Sequence, residues 1–370
     1  MPATVVPTLH DRAVVSAVPA TLRLLRERRG LLKKDVAEAL GKSAPWLTKV
    51  EAGDLPVTGE TLDSYAALLD ARPELLTAPI HVEPPEGVHF RSQKVSQRTR
   101  HQAIAAANVA AHAVNELLNL VDSEPAPSWP EFDVDSLPQG AHEAAQLVRL
   151  RLRLHGPIPD IAASLESMGI FVLPMPPEIT GIDAVTIRTD GQAAAIILLS
   201  SHLPEDRKRH TLAHELGHLV LDRVSLPLSM KDVEGRVDAF AGELLAPYDE
   251  VRNELKGITP SALPTLMALH REWGVSPSAF IRRARLHDDI SETQYRYWFK
   301  VLASRSLLRG LPSAFPVRAS AARELLTALQ AGGYTLSDLL EATRLRPSQL
   351  AQIFGEDWPY HQPRPRLRTV

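Results

Sequence analysis

His214, Glu215 and His218 carry the sharpest chemical signal in the chain, within Thr211-Leu-Ala-His-Glu-Leu-Gly-His-Leu-Val-Leu221. Residues four apart on a helix share a face, so both imidazoles can reach one cation. Glu215 is rotated about 100° away, close enough to touch a water on that cation. Zinc suits the pattern because it accepts nitrogen and oxygen ligands and leaves a position for water. Such a metal acidifies the water and polarises a carbonyl, while Glu215 accepts the proton. The flanking Leu212, Ala213, Leu216, Leu219, Val220 and Leu221 would bury this helix, and Gly217 lets another backbone or a substrate come close.

A third protein ligand is required, and Glu234 lies 16 residues beyond His218, far enough for a loop and a returning helix. Glu234 and Asp238 are four apart, so one carboxylate can sit on the metal while the other holds the far nitrogen of a ligand histidine. Glu243, on the same expected helix, is the rival ligand.

Composition excludes other chemistries. The 370 residues contain no cysteine, which removes disulfides, thiolate zinc fingers, iron–sulfur clusters and cysteine nucleophiles. Nothing reads as a glycine-rich phosphate loop, a dinucleotide fingerprint or a serine-nucleophile elbow. The first twenty residues include Asp11 and Arg12, and the longest apolar run, Ala193 to Leu199, is far too short to span a membrane. A cytoplasmic protein without a membrane partner is expected.

With a net charge of -3, any nucleic-acid surface must be local. Between residues 20 and 53, eight lysines and arginines face four acids. Val36, Ala37 and Leu40 form one buried helix face, Gly41 makes a turn, and Ser43 can cap a second helix that buries Leu47 and Val50. Lys33, Lys34, Ser43, Ala44, Pro45, Trp46, Thr48 and Lys49 are the candidate contacts to double-stranded DNA. Trp46 reads equally as a core residue against Leu55 or the next helix. Arg91, Lys94, Arg98 and Arg100 could extend a phosphate-binding surface but read rather as the solvated start of a helix.

The elements that must position these groups are mostly helical. Residues 95–120 form one alanine-rich helix, and 141–155 another with Leu147, Leu150 and Leu154 on one stripe. Gly169 to Leu173, Ala184 to Arg188 and Ala193 to Leu199 read as strands, the last two joined by a hairpin at Thr189-Asp190-Gly191. Proline-rich joints fall at 77–87, 121–140 and 308–317, and the tail from Trp358 is expected to be poorly ordered.

Arg207-Lys-Arg-His-Thr-Leu-Ala-His-Glu-Leu-Gly-His218, followed by Glu234-Gly-Arg-Val-Asp-Ala-Phe-Ala-Gly-Glu-Leu-Leu-Ala-Pro247, resembles the ImmA/IrrE family of zinc metallopeptidases over roughly 155 to 305. His210 stands where that family often has phenylalanine, and could place an extra imidazole near the site. Leu22-Arg-Leu-Leu-Arg-Glu-Arg-Arg-Gly30, Asp35-Val-Ala-Glu-Ala-Leu-Gly41 and Leu47-Thr-Lys-Val-Glu-Ala-Gly53 resemble the Cro/repressor (XRE-like) helix-turn-helix domain. Leu32 and Lys33 replace that domain's usual small polar cap and glutamine.

The resemblances imply a chain that is mainly α with a small α+β middle domain. An N-terminal helix-turn-helix bundle (18–76) is followed by a linker with the alanine-rich helix (77–140). A zincin-like metallopeptidase core with a short three-stranded sheet (141–306) precedes a C-terminal helical module with a disordered tail (307–370). They further imply a transcriptional regulator that uses Zn2+ to cleave a repressor or antitoxin-like partner. Its own linker near 77–90 or 121–140 is an alternative substrate. The competing reading is a transcription factor whose peptidase-like fold senses or supports without turnover. A homodimer on two DNA half-sites is expected.

Overall fold

Short apolar stretches punctuated by glycine or proline give the N-terminal helices α1 (Pro19–Arg28), α2 (Lys33–Ala39), α3 (Ala44–Ala52), α4 (Gly59–Leu68) and α5 (Pro73–Leu76). Ser43 caps α3 by accepting a hydrogen bond from the Trp46 amide at 3.3 Å, and Gly53, at φ 88°, ends it in the left-handed region that glycine adopts freely. The computed structural model describes residues 16–83, 89–90, 95–121, 130–191, 193, 195–221, 229–355 and 358–359. Arg91 and Lys94, and parts of the first two proline-rich joints, lie outside the described residues.

The alanine-rich segment is α6 (Gln97–Leu118). α7 (Ala141–Arg151) and α8 (Ile161–Glu166) lead into the sheet, and α9 (Glu205–Val220) and α10 (Met230–Leu245) follow it. Then come α11 (Tyr248–Leu255), α12 (Leu263–Trp273), α13 (Pro277–Leu286) and α14 (Glu292–Ser304), with α15 (Ala321–Ala331), α16 (Leu336–Thr343) and α17 (Pro347–Phe354) at the end. No helix among the described residues is long and apolar enough to cross a membrane.

The expected strands appear as β2 (Ile170–Pro174), β3 (Ala184–Arg188) and β4 (Ala195–Leu199), and the structure adds a two-residue edge strand, β1 (His89–Phe90). The order is β1-β3-β4-β2. β3 and β4 form the antiparallel hairpin, β2 runs parallel to β4, and β1 pairs antiparallel with β3.

This sheet is buried on both faces, and its two-residue alternation sorts the molecule into two cores. Phe171, Leu173, Val185, Ile187, Ile196 and Leu198 face a core shared with α1–α6 and α15–α17. Ile170, Val172, Ala184, Ala195, Ile197 and Leu199 face the other, built with α7–α14. α6 sits at the centre of the first core, where its alanines let it approach both α1 and the sheet. Asn115 on α6 fastens the hairpin by accepting from the Ala193 amide at 2.9 Å.

Two expectations are corrected. The packed face of α7 is Ala141, Ala144, Ala145 and Val148, whereas Leu147 and Leu150 are 37% and 73% exposed. The small residues face inward because α10 crosses there at close range. At the other end Trp358 is buried and stacks on Phe354 at 6.0 Å, while residues 360–370 of the tail lie outside the described residues.

Candidate metal centre

α9 passes beneath β3 and is crossed by α10. Gly217 sets the depth of that crossing, because a Cβ there would lie 2.9 Å from Val237 Cγ1 and 3.1 Å from Phe240 Cδ1. The close approach is therefore backbone against the next helix. It brings the first turns of α10, and Glu234 with them, over the two imidazoles.

His214 and His218 are buried, with their Nε2 atoms 3.2 Å apart. Glu234 Oε2 is 3.2 Å from His214 Nε2, and its Oε1 is 3.7 Å from His218 Nε2. Tetrahedral coordination at about 2.0–2.1 Å requires ligand atoms about 3.3 Å apart, so the three separations match what one zinc-sized cation needs. Among the described residues this trio is the group of histidines and acids close enough to hold a metal ion.

Asp238 Oδ1 is 2.9 Å from His214 Nδ1. Nδ1–H donating to that carboxylate leaves the Nε2 lone pair facing the cluster, the tautomer a metal ligand needs. Without a metal, burial alone would push the His214 imidazole down, but its hydrogen bonds donated to the Asp238 and Glu234 carboxylates, with the charge of Glu215 nearby, raise it to about 9. His210 does bring another imidazole close, its ring centroid 6.3 Å from that of His214.

Glu215 is fully buried, and Thr186 of β3 donates its hydroxyl hydrogen to Glu215 Oε2 at 2.7 Å. Sequence reasoning missed Thr186. Its only signal was a hydroxyl between Val185 and Ile187 in the strand, and the partner it orients is 29 positions away.

Glu243 is not brought to the imidazoles. Its Oε2 accepts from Arg283 Nη2 at 2.6 Å and from the Tyr248 amide at 3.0 Å, and its Oε1 accepts from Gln146 Nε2 at 3.2 Å. It belongs to a buried ion pair that ties α7, α10, α11 and α13 together.

In the N-terminal region Lys34, Ser43, Ala44, Pro45, Thr48 and Lys49 are exposed at α2 and α3. Lys33 lies 3.4 Å from the buried carboxylate of Glu51, which Arg26 also holds. Trp46 is half-buried against the first core, with Lys42 5.8 Å above its ring.

Residues 165–285 match the family model of the M78 peptidases, described as an IrrE N-terminal-like domain. Residues 20–78 match a helix-turn-helix domain model. Neither the curated proteins nor the solved structures give a significant match.

Proposed function

Starting from a chain that joins a helix-turn-helix domain to an IrrE N-terminal-like peptidase domain, we propose that it is a DNA-binding transcriptional regulator. With a metal held by His214, His218 and Glu234, the chain would hydrolyse a peptide bond in a repressor or antitoxin-like protein, or in itself, and so switch gene expression. The observation that carries this reading is the convergence of His214, His218 and Glu234 beside a buried, oriented Glu215. Two nitrogens and one carboxylate oxygen form a donor set suited to Zn2+ in an open, catalytic site. When bound, such an ion supplies Lewis acidity toward water and a carbonyl.

The chain's own residues do the rest. Asp238 fixes the His214 tautomer, and Thr186 fixes one oxygen of Glu215. Glu215 takes a proton from the attacking water and returns it to the departing amine. The exposed side of α2 and α3, with Lys34, Ser43, Ala44, Pro45, Thr48 and Lys49, approaches DNA, and two copies acting as a homodimer would read two half-sites in the cytoplasm.

Comparing new protein N-termini in cells carrying wild type or Glu215→Gln tests the reading. Termini present only with wild type identify the substrate, while metal content and DNA binding stay unchanged. Identical sets of termini, with normal metal and DNA binding, favour the second reading: a sensor without turnover. One observation supports that alternative. α6 packs on both the DNA-reading bundle and the sheet above the metal helix, so the metal centre can bias the reader without cutting anything.

A further inference from the structure

The end of α1 meets α6, α17 and the loop after β2 around a cavity of about 360 Å³. Sites for small ligands commonly measure about 300–1,000 Å³. The walls come from regions far apart in sequence: Arg28 and Arg29 from α1, Asp70 from the turn between α4 and α5, Gln102 from α6, Glu178 from the loop after β2, and Gln352 from α17. Gly30, at φ 61°, lets Gln102 reach the end of α1, since a Cβ there would lie 3.1 Å from Gln102 Oε1.

Arg28 is the group that lacks a full set of partners. It is half-buried and its Nη2 donates to Gln352 Oε1 at 2.8 Å, but no carboxylate among the described residues lies within ion-pair distance of it. The other charges around the cavity are already engaged. Asp70 lies 4.0 Å from Arg29 and 3.5 Å from Arg346. Glu178 accepts from Gln352 Nε2 at 2.9 Å, so the Gln352 amide stands between that acid and Arg28. Burial pushes the Arg28 guanidinium down from its ordinary value, against the pull of Glu178 and with the repulsion of Arg29. A guanidinium that has lost part of its water and has no counter-charge is an acceptor for an anion, which makes charge-assisted bonds to its fork of N–H groups.

We propose that this cavity binds one small polar molecule through an oxyanion, carboxylate or phosphoryl, that docks on Arg28. Arg29 adds a second positive charge at the same wall. Asp70 and Glu178 oppose a polyanion, so the ligand carries a single anionic group on an otherwise neutral or cationic body. The Gln102 amide offers that body both a donor and an acceptor.

The cavity lies where the reader is fastened to the rest of the chain. Close to Asp70 in sequence, Arg72 Nη1 donates to Leu340 O at 2.7 Å, and Arg346 Nη2 donates to Ala71 O at 3.0 Å. α17 in turn backs β2. A ligand touching α1, α6 and α17 at once is a further fastening, and it reaches the reader without passing through the metal centre. Binding there is independent of whether that centre cuts peptides.

The test titrates the full-length, zinc-loaded protein by calorimetry with sodium phosphate and, separately, with sodium acetate, at constant ionic strength in chloride. Saturable one-to-one binding of at least one anion is expected, and the tighter of the two identifies the phosphoryl or the carboxylate source. Arg28→Gln should weaken that binding at least about tenfold, the worth of a charge-assisted pair. Arg23→Gln removes an exposed arginine of the same helix, paired with Glu27 at 3.0 Å, and should leave the affinity unchanged. Glu178→Gln keeps the acceptor for Gln352 but removes a like charge, and should tighten binding about threefold. Saturation should also slow amide hydrogen exchange in fragments covering α1 and α17.

No saturable binding of either anion, unchanged affinity in Arg28→Gln, or binding without slower exchange in α1 and α17 overturns the proposal. Glu178 is exposed, so its variant decides the matter if Arg28→Gln fails to fold: binding no tighter than that of wild type then overturns it.

Discussion

The two helix pairs that hold the proposed sites are built on opposite plans. In α9 and α10 the polar groups point inward: His214, Glu215 and His218 are buried, and Glu234 closes over them. In α2 and α3 the apolar groups point inward, through Val36, Ala37, Leu47 and Val50, and most polar ones face water, the buried carboxylate of Glu51 being the exception. Where polar groups are desolvated, each needs a partner at hydrogen-bonding or metal-ligating distance, so a shift of one ångström matters. Where they face water, charge and shape matter more than any single distance, and electrostatic contacts are screened by salt. The inward pair should therefore fail abruptly under mutation and the outward pair gradually.

The largest effect lies in the inward region but outside the metal site. Glu243 and Glu234 sit on one helix, yet Glu243 pairs with buried Arg283 at 2.6 Å while Glu234 stays partly open to solvent. Glu243→Ala leaves a guanidinium buried without its counter-charge, which costs about 3–5 kcal/mol. Urea unfolding of the metal-free protein should show it as a large fall in midpoint. Glu234→Ala should leave that midpoint nearly unchanged and abolish stoichiometric zinc binding. A stable but metal-free Glu243→Ala protein would exchange the roles of the two acids.

Next come changes that act through a ligand. Asp238→Asn keeps the shape but weakens the acceptor at His214 Nδ1, and zinc affinity should fall about 10–100-fold by competition with a chromophoric chelator. Gly217→Ala pushes a methyl group toward Val237 and Phe240 and should cost about 1–3 kcal/mol as overpacking. Because the same crossing carries Glu234, zinc affinity should fall with stability. Alanine at 217 with unchanged zinc affinity would show that the helix crossing does not set the site's geometry.

How much of this was legible beforehand follows the same division. Helical spacing alone relates His214 to His218 and Glu234 to Asp238, because both relations run along one helix. Choosing between Glu234 and Glu243 depended on α13, whose Arg283 is 40 positions from Glu243. The role of Thr186 was not legible because it comes from β3 lying across α9. The alanine-rich α6 was readable as a helix, but that it packs on the sheet is a tertiary fact, set by small side chains meeting a second apolar face. On α7 the leucine stripe misled, since close packing favoured alanine inside and left Leu147 and Leu150 outside. The fourth strand was not foreseen, since two residues give no periodicity to read.

The smallest expected effect is on the outward pair, and it separates two lysines that composition counts alike. Lys49 is exposed on α3, while Lys33 is held 3.4 Å from Glu51, whose carboxylate Arg26 also engages at 3.1 Å. A lysine free to meet a phosphate releases about one counterion on binding, so Lys49→Ala should weaken DNA binding across sequences. The slope of log affinity against log salt should become shallower by about one. Lys33→Ala should change that slope much less, because its charge is already committed to the buried acid. Gel shifts at several salt concentrations measure both. Equal slope changes would mean that Lys33 leaves Glu51 when DNA arrives, and that Arg26 alone suffices to hold the carboxylate.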